Sequence, residues 1–217
     1  MEHLLIALWR APGADLTAIR DAWAQAALPV DNVQSCAISM ASPDQGRFAA
    51  GDPVDMLIAL GLRQAHDLDD VPERDVLYRA AREVNVWRVD PHRQIVSDEP
   101  TSIDPTSIKM VSFVARAGHL SHEQFVRHWT EVHAPLARRH HAGLADYTQN
   151  VVRRAYTPGG AGVDGIAELR FRSREDFEHR FYDSDEGRDI IRRDVQEFIA
   201  RPSGQAALMH EVQLRGA

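Results

Sequence analysis

The chain carries one pattern twice. Arg10, Trp23 and Pro29 fall on Arg116, Trp129 and Pro135 at a single offset of 106 residues. Apolar strand residues precede both arginines, Leu4 to Leu8 in one copy and Met110 to Val114 in the other. Asp15 and Ser121 stand in the same aligned place at a helix start, and Ile19 falls on Phe125. A fixed period of this kind limits the fold more than any composition does, because the two copies must build the same unit. The order of elements agrees, since each half reads strand, helix, strand, strand, helix, strand. Two such α+β units can stack the bare faces of their sheets and close a barrel, each covering what the other exposes. The expected fold is therefore α+β, two tandem ferredoxin-like repeats forming a barrel within one chain.

In the second copy the first strand runs from Ile108 to Ala115, a β-favouring apolar run. Ser121 is a good N-cap, and Gln124 completes a capping box. Phe125, Trp129, Val132 and Leu136 then recur at spacings of four, three and four, an apolar stripe facing a sheet. Pro135 should kink or end that helix, because it has no N–H and clashes with the preceding turn. Leu144 to Arg153 reads as a second strand, Thr157 to Gly162 as a flexible hairpin loop, and Gly165 to Phe171 as a third strand. Ser173 caps a helix through Tyr182, and a second amphipathic piece lies near Arg188 to Ala200. Ala207 to Leu214 closes the unit. The first copy gives Leu4 to Trp9, a helix near Leu16 to Ala27, Ser35 to Met40, Val54 to Leu62, a helix near Glu73 to Val84, and a strand around Val86 to Val89. Pro91 to Thr106 is rich in Pro, Ser, Asp and Thr and reads as a linker. The expected division is a first repeat over 1–95, a linker over 96–107 and a second repeat over 108–217.

With 217 residues, a net charge of −7 and 44% hydrophobic residues, the chain has the make-up of a soluble protein able to bury a real core. Its acidity repels phosphate backbones, so nucleic acid is not an expected partner. The single cysteine, Cys36, permits no internal disulfide and suits a reducing cytoplasm. It reads as a small core residue. The apolar run in MEHLLIALWRAPG is short and lacks a basic region before it, so it reads as a buried strand and not a signal peptide. No stretch approaches the roughly 20 apolar residues that a membrane span requires.

Eight of the 11 histidines lie in the second half. His133 stands out among them. It follows Trp129 by four residues and precedes Leu136 by three, beside the apolar stripe. A partly buried imidazole there can serve as a general acid or base. The aligned position in the first copy is Ala27, so the fold does not itself demand a histidine. On the strands, Tyr147 and Gln149 share one face, Glu168 and Arg170 share another, and His210 lies on the closing strand. Charged residues two apart on an apolar strand are costly unless paired or used. The plainer readings stand beside these. A histidine near a proline is as readily a satisfied core or capping residue, Arg116 can cap a sheet edge, and Glu168 with Arg170 can be a structural ion pair. His140 and His141 sit at a helix end, where cations suit the dipole, and read as solvated.

Metal chemistry has little support. His119, His122 and His128 gather near the helix start, but no carboxylate stands at a familiar ligand spacing and no HExxH or cysteine pair occurs. GxGxxG, Walker and nucleophile-elbow patterns are absent. A histidine over a sheet pocket could hold haem, though nothing else marks one.

The segment Ser121 to Leu136, SHEQFVRHWTEVHAPL, resembles the first helix of EthD-domain proteins through Ser-x-x-x-Phe, His-Trp and His-x-Pro-Leu. The preceding Arg116-Ala-Gly, the following Tyr147-x-Gln and Asp164-Gly-Ile with Glu168 are similar too. The resemblance covers about residues 108 to 214, and over 1–100 it rests on Arg10, Trp23 and Pro29. It implies a dimeric α+β barrel, here within one chain. It also implies a set of activities: cofactor-free dehydratases, cyclases and lyases on aromatic or polyketide-like substrates, small proteins required beside an oxygenase, and haem-using relatives. His133 matches the family's helix histidine and Tyr147 its second-strand tyrosine, while Ala27 departs from the pattern.

The expectation drawn from residues and resemblance together is a cofactor-independent lyase, dehydratase or isomerase acting on a small aromatic or polyketide-like substrate. His133, Tyr147 and Glu168 would move protons, and Trp129, Arg116, Phe125 and His210 would bind substrate. No metal and no cofactor is expected. A non-catalytic binding protein serving an oxygenase, or a haem enzyme, are the alternatives. A homodimer is expected because sheet edges and helix faces remain exposed.

Overall fold

A computed structural model describes residues 1–46, 52–97, 106–200 and 205–215. The described residues form eight strands: β1 (Glu2–Arg10), β2 (Val33–Ala41), β3 (Met56–Leu62), β4 (Ala81–Ile95), β5 (Ile108–Val114), β6 (Leu144–Ala155), β7 (Gly165–Phe171) and β8 (Ala206–Arg215). They form one closed antiparallel barrel with the neighbour order β1-β3-β2-β8-β5-β7-β6-β4. Within that ring the first four strands run 4-1-3-2, and the second four repeat the order as 8-5-7-6. The two halves thus share their strand connectivity as well as their element sequence. The compact units of the chain are residues 1–90 with 152–161 and 209–217, and residues 91–151 with 162–208.

In the first unit, α1 (Leu16–Ala27) begins at Asp15, whose carboxylate accepts from the backbone N–H groups of Thr17 and Ala18. Ile19, Trp23 and Ala27, four residues apart, form its buried face. The Trp23 indole N–H donates to the Pro72 carbonyl at 2.9 Å. These residues pack with Leu4, Ile6, Leu8, Cys36, Ile38, Ile58 and Leu77 in one apolar core. Cys36 is sealed there, and burial pushes its thiol up to about 12, as befits an inert core residue.

Three elements of this unit differ from expectation. The helix expected near Glu73 to Val84 is α2 (Arg74–Ala80), shorter because Ala81 to Val84 pair with β1 instead. Backbone pairing claims residues whose side chains alone would suit either state. Strand β4 then runs through Pro91 to Ile95, so the first residues of the expected linker are strand. Residues 98–105 of that linker lie outside the described residues. The hairpin loop expected to be flexible is pinned: the Val86 N–H donates to Thr157 Oγ1, Thr157 Oγ1 donates to Asn85 Oδ1, and the Trp87 indole donates to the Gly160 carbonyl. Gly159 permits that closeness, since a Cβ there would lie 2.6 Å from Asn85 Oδ1.

In the second unit the helix expected to end at Tyr182 is α5 (Arg174–His179), after which Phe181 returns to stack on Phe171 at 5.4 Å. The last helix, α6 (Asp185–Phe198), starts earlier than Arg188 because Ser184 caps it, accepting from the Gly187 N–H. Its buried face is Gly187, Ile191, Asp194 and Phe198. Among the described residues no helix is long and apolar enough to cross a membrane.

Candidate functional site

The capping box at Ser121 and Gln124 forms as the sequence requires and starts α3 (His122–Arg127). The helix neither ends nor restarts at Pro135. It passes through a π-turn, His128–His133, into α4 (Ala134–His140), which carries Pro135 in its first turn. The Ala134 N–H reaches back five residues to the Trp129 carbonyl. A widened turn gives the proline ring room and spares the bond its missing N–H would have made. The Thr130 hydroxyl donates to the Val126 carbonyl at 2.8 Å, beside the point where the regular ladder is interrupted.

The π-turn inserts one residue into the helical repeat and rotates the buried face. The expected stripe residue Val132 is 45% exposed, and His133 takes its place inside at 8%. The buried positions become Phe125, Trp129, His133, Ala134 and Ala137. On an α-helix of 3.6 residues per turn, His128 and His133 would point roughly 140° apart. Here they meet one carboxylate. His133 Nδ1 lies 2.7 Å from Asp194 Oδ2, and His128 Nε2 lies 2.8 Å from Asp194 Oδ1. Phe198, one turn further along α6, packs against both rings, stacked on His128 at 4.8 Å and tilted to His133 at 5.1 Å.

Burial works against the charge of Asp194, but the hydrogen bonds from His133 and His128 outweigh it and hold its pKa below the ordinary carboxylate range. An ionised carboxylate only accepts, so both ring nitrogens facing it carry their protons. That fixes neutral His133 as the Nδ1–H tautomer. Its Nε2 lone pair then faces away from Asp194 and hydrogen-bonds no group among the described residues. This arrangement suits a base.

Tyr147 is fully packed at 1% exposure. Its hydroxyl accepts from the Trp129 indole N–H at 3.2 Å and from Gln149 Nε2 at 2.9 Å. The same Gln149 amide donates to the Trp129 carbonyl. Burial raises the Tyr147 pKa well above that of a free phenol and keeps it protonated. Trp129 is clamped from its other side by the β7 backbone, where a Cβ on Gly165 would lie 2.3 Å from the ring. Phe125 packs on Trp129 at 5.3 Å.

The structure does not bring Glu168 to this cluster. Tyr147 is paired with Leu169 across β6 and β7, so its neighbour Glu168 points to the opposite face of the sheet. There Glu168 binds Lys109 at 2.7 Å and Asn150 at 2.7 Å. Arg170 pairs with Asp146, so Glu168 and Arg170 each have their own partner and not one another. Arg116 is held by Asp164, through both its backbone N–H and its guanidinium, and by the Leu120 carbonyl. His122 also faces Asp164, at 3.2 Å. His210 lies on β8 opposite Met40 and belongs to the first unit.

His140 and His141 are not solvated. Both are buried, His140 against Asp183 at 3.1 Å and His141 with Nδ1–H donating to the Phe181 carbonyl at 2.7 Å. The return of the chain after α5 covers the end of α4 that would otherwise face water. Among the described residues no group of three or more His, Cys, Asp or Glu side chains is disposed to hold a metal ion. In the first unit a cavity of about 670 Å³ opens between Tyr78, Glu83, Asn85, Tyr156 and Pro158, and none of the expected site residues lines it.

Sequence reasoning misses Asp194. It stands among the charges of DEGRDIIRRDVQEF, in the piece that reads from sequence only as amphipathic. The available signal is its phase: it lies three residues after Ile191 and four before Phe198, on the apolar stripe itself. An acidic residue at a core position implies a partner.

Residues 117–202 match the family model described as the EthD domain. Among curated proteins none matches the chain. Solved structures align along nearly its whole length. An anthrone oxidase-like protein is 16% identical with a TM-score of 0.63, covering 100% of this chain and 95% of that one. A proposed monooxygenase from Fusobacterium nucleatum subsp. nucleatum ATCC 25586 is 8% identical with a TM-score of 0.60, covering 100% and 98%. Another from Lactobacillus acidophilus NCFM is 9% identical with a TM-score of 0.54, covering 98% and 93%. The likeness is one of fold, the dimeric α+β barrel.

Proposed function

We propose, taking residues 117–202 as an EthD domain, that the chain is a cofactor-independent enzyme that works by proton transfer on a small aromatic or polyketide-like substrate. A lyase, dehydratase or isomerase step fits that chemistry. The observation that carries the reading is the His133–Asp194 contact, which holds the Nδ1 proton and leaves Nε2 as the free lone pair. His133 takes a proton from an acidic carbon or phenol, and Asp194 stabilises the imidazolium that forms. Tyr147 is too deeply packed to touch substrate, so it is a positioning residue that fixes Trp129 and, with Gln149, the helix that carries His133. Glu168 takes no part, because Lys109 and Asn150 hold both of its oxygens on the other side of the sheet.

The test is His133→Ala against wild type over a panel of aromatic and polyketide-like compounds, with thermal stability recorded alongside. The expected result is a loss of turnover of about 10²-fold or more in a protein that stays folded. Undiminished turnover, or a loss that only tracks the folded fraction, would falsify the reading.

One observation favours a second reading. With Tyr147 sealed and Glu168 engaged elsewhere, His133 is the one proposed proton-transfer group left to face a ligand. A binding protein needs no second such group. That reading expects saturable binding of a panel compound with no turnover by wild type, and weaker binding by His133→Ala.

A further inference from the structure

The first unit lacks the polar set that surrounds His133 but holds the cavity of about 670 Å³. Strand register aligns Tyr147 with Cys36 and Gln149 with Ile38, because each faces the residue four or two places after the start of β7 or β3. Ligand chemistry in the first unit therefore has to lie elsewhere, and the cavity has a size that suits a small organic molecule. Its wall carries a relay of hydrogen bonds, buried at one end and open at the other. The Val86 N–H donates to Thr157 Oγ1 at 3.1 Å, Thr157 Oγ1 donates to Asn85 Oδ1 at 2.9 Å, and Asn85 Nδ2 donates to Glu83 Oε1 at 2.7 Å. Thr157 and Asn85 are buried, while Glu83 is exposed. A carboxylate only accepts, so Asn85 turns its NH₂ to Glu83 and its Oδ1 to the Thr157 hydroxyl. Glu83 is thus held through one oxygen. Its Oε2 hydrogen-bonds no group among the described residues. Arg82, on the same wall, is taken by Asp52, and Arg154 lies over the Tyr156 ring at 5.0 Å. Tyr78, 42% exposed, and Tyr156 supply aromatic surface, and Leu68 and Val84 apolar surface. The Tyr156 hydroxyl donates to the His66 carbonyl at 3.2 Å, which fixes that ring.

We propose that this cavity is a second ligand site, sharing no residue with the His133 cluster, and that it takes a small primary amine on an aromatic body. The open Glu83 oxygen needs a donor, and a charged donor gives a carboxylate the stronger bond. The ammonium group donates to Glu83 Oε2, and the aromatic body lies against the tyrosine and aliphatic surface, where ring faces also attract the cation. The net charge of −7 draws cations towards the chain. The relay is what sets Glu83 apart from an ordinary surface carboxylate. It fixes the acceptor before a ligand arrives, so less freedom is lost on binding.

The experiment titrates the ¹⁵N-labelled full-length chain with tyramine and tryptamine, and with para-ethylphenol and para-hydroxyphenylpropanoate as neutral and anionic matches for tyramine. Backbone amide shifts report both affinity and place. An amine should bind saturably and move the amides of Glu83, Asn85, Thr157 and Gly159. The neutral phenol should bind more weakly than tyramine, and the anion more weakly still. Glu83→Gln keeps an acceptor for Asn85 and removes the charge. It should weaken the amine by on the order of tenfold and leave para-ethylphenol unchanged. Tyr78→Ala should weaken amine and phenol alike. Both replaced side chains are exposed, so neither variant puts the core at risk. His133→Ala should leave amine affinity as in wild type, which keeps this site distinct from the proposed base. Four results would each overturn the proposal: no saturable amine binding, equal amine affinity in Glu83→Gln, an anion that binds more tightly than the amine, or amine binding lost in His133→Ala.

Discussion

His141 is the residue whose burial has the most direct reading in solution. The Phe181 carbonyl takes its Nδ1 proton, and burial pushes its pKa down to about 4 from 6.5. Above pH 6.5 the folded and unfolded chains both hold it neutral, and it contributes nothing to pH dependence. As pH falls below 6.5 the unfolded chain takes a proton that the folded chain refuses, so stability drops, and the drop levels off near pH 4. The loss approaches roughly 1.4 kcal/mol per pH unit and about 3 kcal/mol in all. His141→Asn keeps a donor for Phe181 and removes the titration. Urea unfolding at pH 7.5 and 4.5 should show a smaller stability difference for the variant than for wild type, and equal differences would sink the assignment. The sequence misleads here in a definite way. A histidine pair at a helix end reads as cations on a dipole, and only the chain that follows α5, folding back through Phe181 and Tyr182, encloses them.

At the scale of the element, the helix bearing His133 is the feature least visible in sequence. The capping box is written in Ser121 and Gln124, and the first buried residues Phe125 and Trp129 follow from ordinary spacing. Beyond Trp129 a 3.6-residue period admits both Val132 and His133, hydrophobicity favours Val132, and the structure selects His133. A π-turn has no composition of its own. Pro135 is its one trace, and a proline predicts a break as readily as a wider turn. Where the spacing is regular, as in α1, the expected limits Leu16 and Ala27 are those observed. The extra residue suggests a test. In a Pro135→Ala background, deleting exposed Val132 should let the segment close as ordinary α-helix, with His128 and His133 four apart and still on one face. Urea unfolding should show a loss within about 1 kcal/mol. Deleting exposed Asp189 from regular α6 should cost several times more, because it rotates Ile191, Asp194 and Phe198 together out of phase with Gly187 and the capped start of the helix. Equal losses would mean that the turn is not a tolerated insertion.

For the molecule as a whole, the repeat made the fold legible. One offset of 106 residues and the shared order of elements lead to the barrel, because two units built alike need the same strand connectivity. The site is less legible for the converse reason, since it lies where the copies differ. His133 has Ala27 as its counterpart, and Ala27 is wholly enclosed with Trp23 and Ile19 in the first core. Ala27→His should therefore destabilise the protein by about 1–3 kcal/mol through overpacking, seen in chemical denaturation, and should bring no new activity. A neutral effect would show that the first copy has room for a site like the second. The partners of His133 escape sequence reading because they come from afar: Asp194 is 61 residues on, and nothing in the spacing of α3 announces it.

The four tryptophans are divided unevenly, and the division has an optical consequence. Trp9, Trp23 and Trp87 belong to the first unit and Trp129 to the second, and all four are buried. Replacing the first three by phenylalanine leaves one emitter, bonded to Tyr147 and within the cluster that carries His133. Its fluorescence would report the unfolding of the second unit alone. The Trp129→Phe chain would report the first, so comparing the two traces tells whether the halves melt as one. The same single emitter is a gauge of ligand entry, readable before any substrate has been identified.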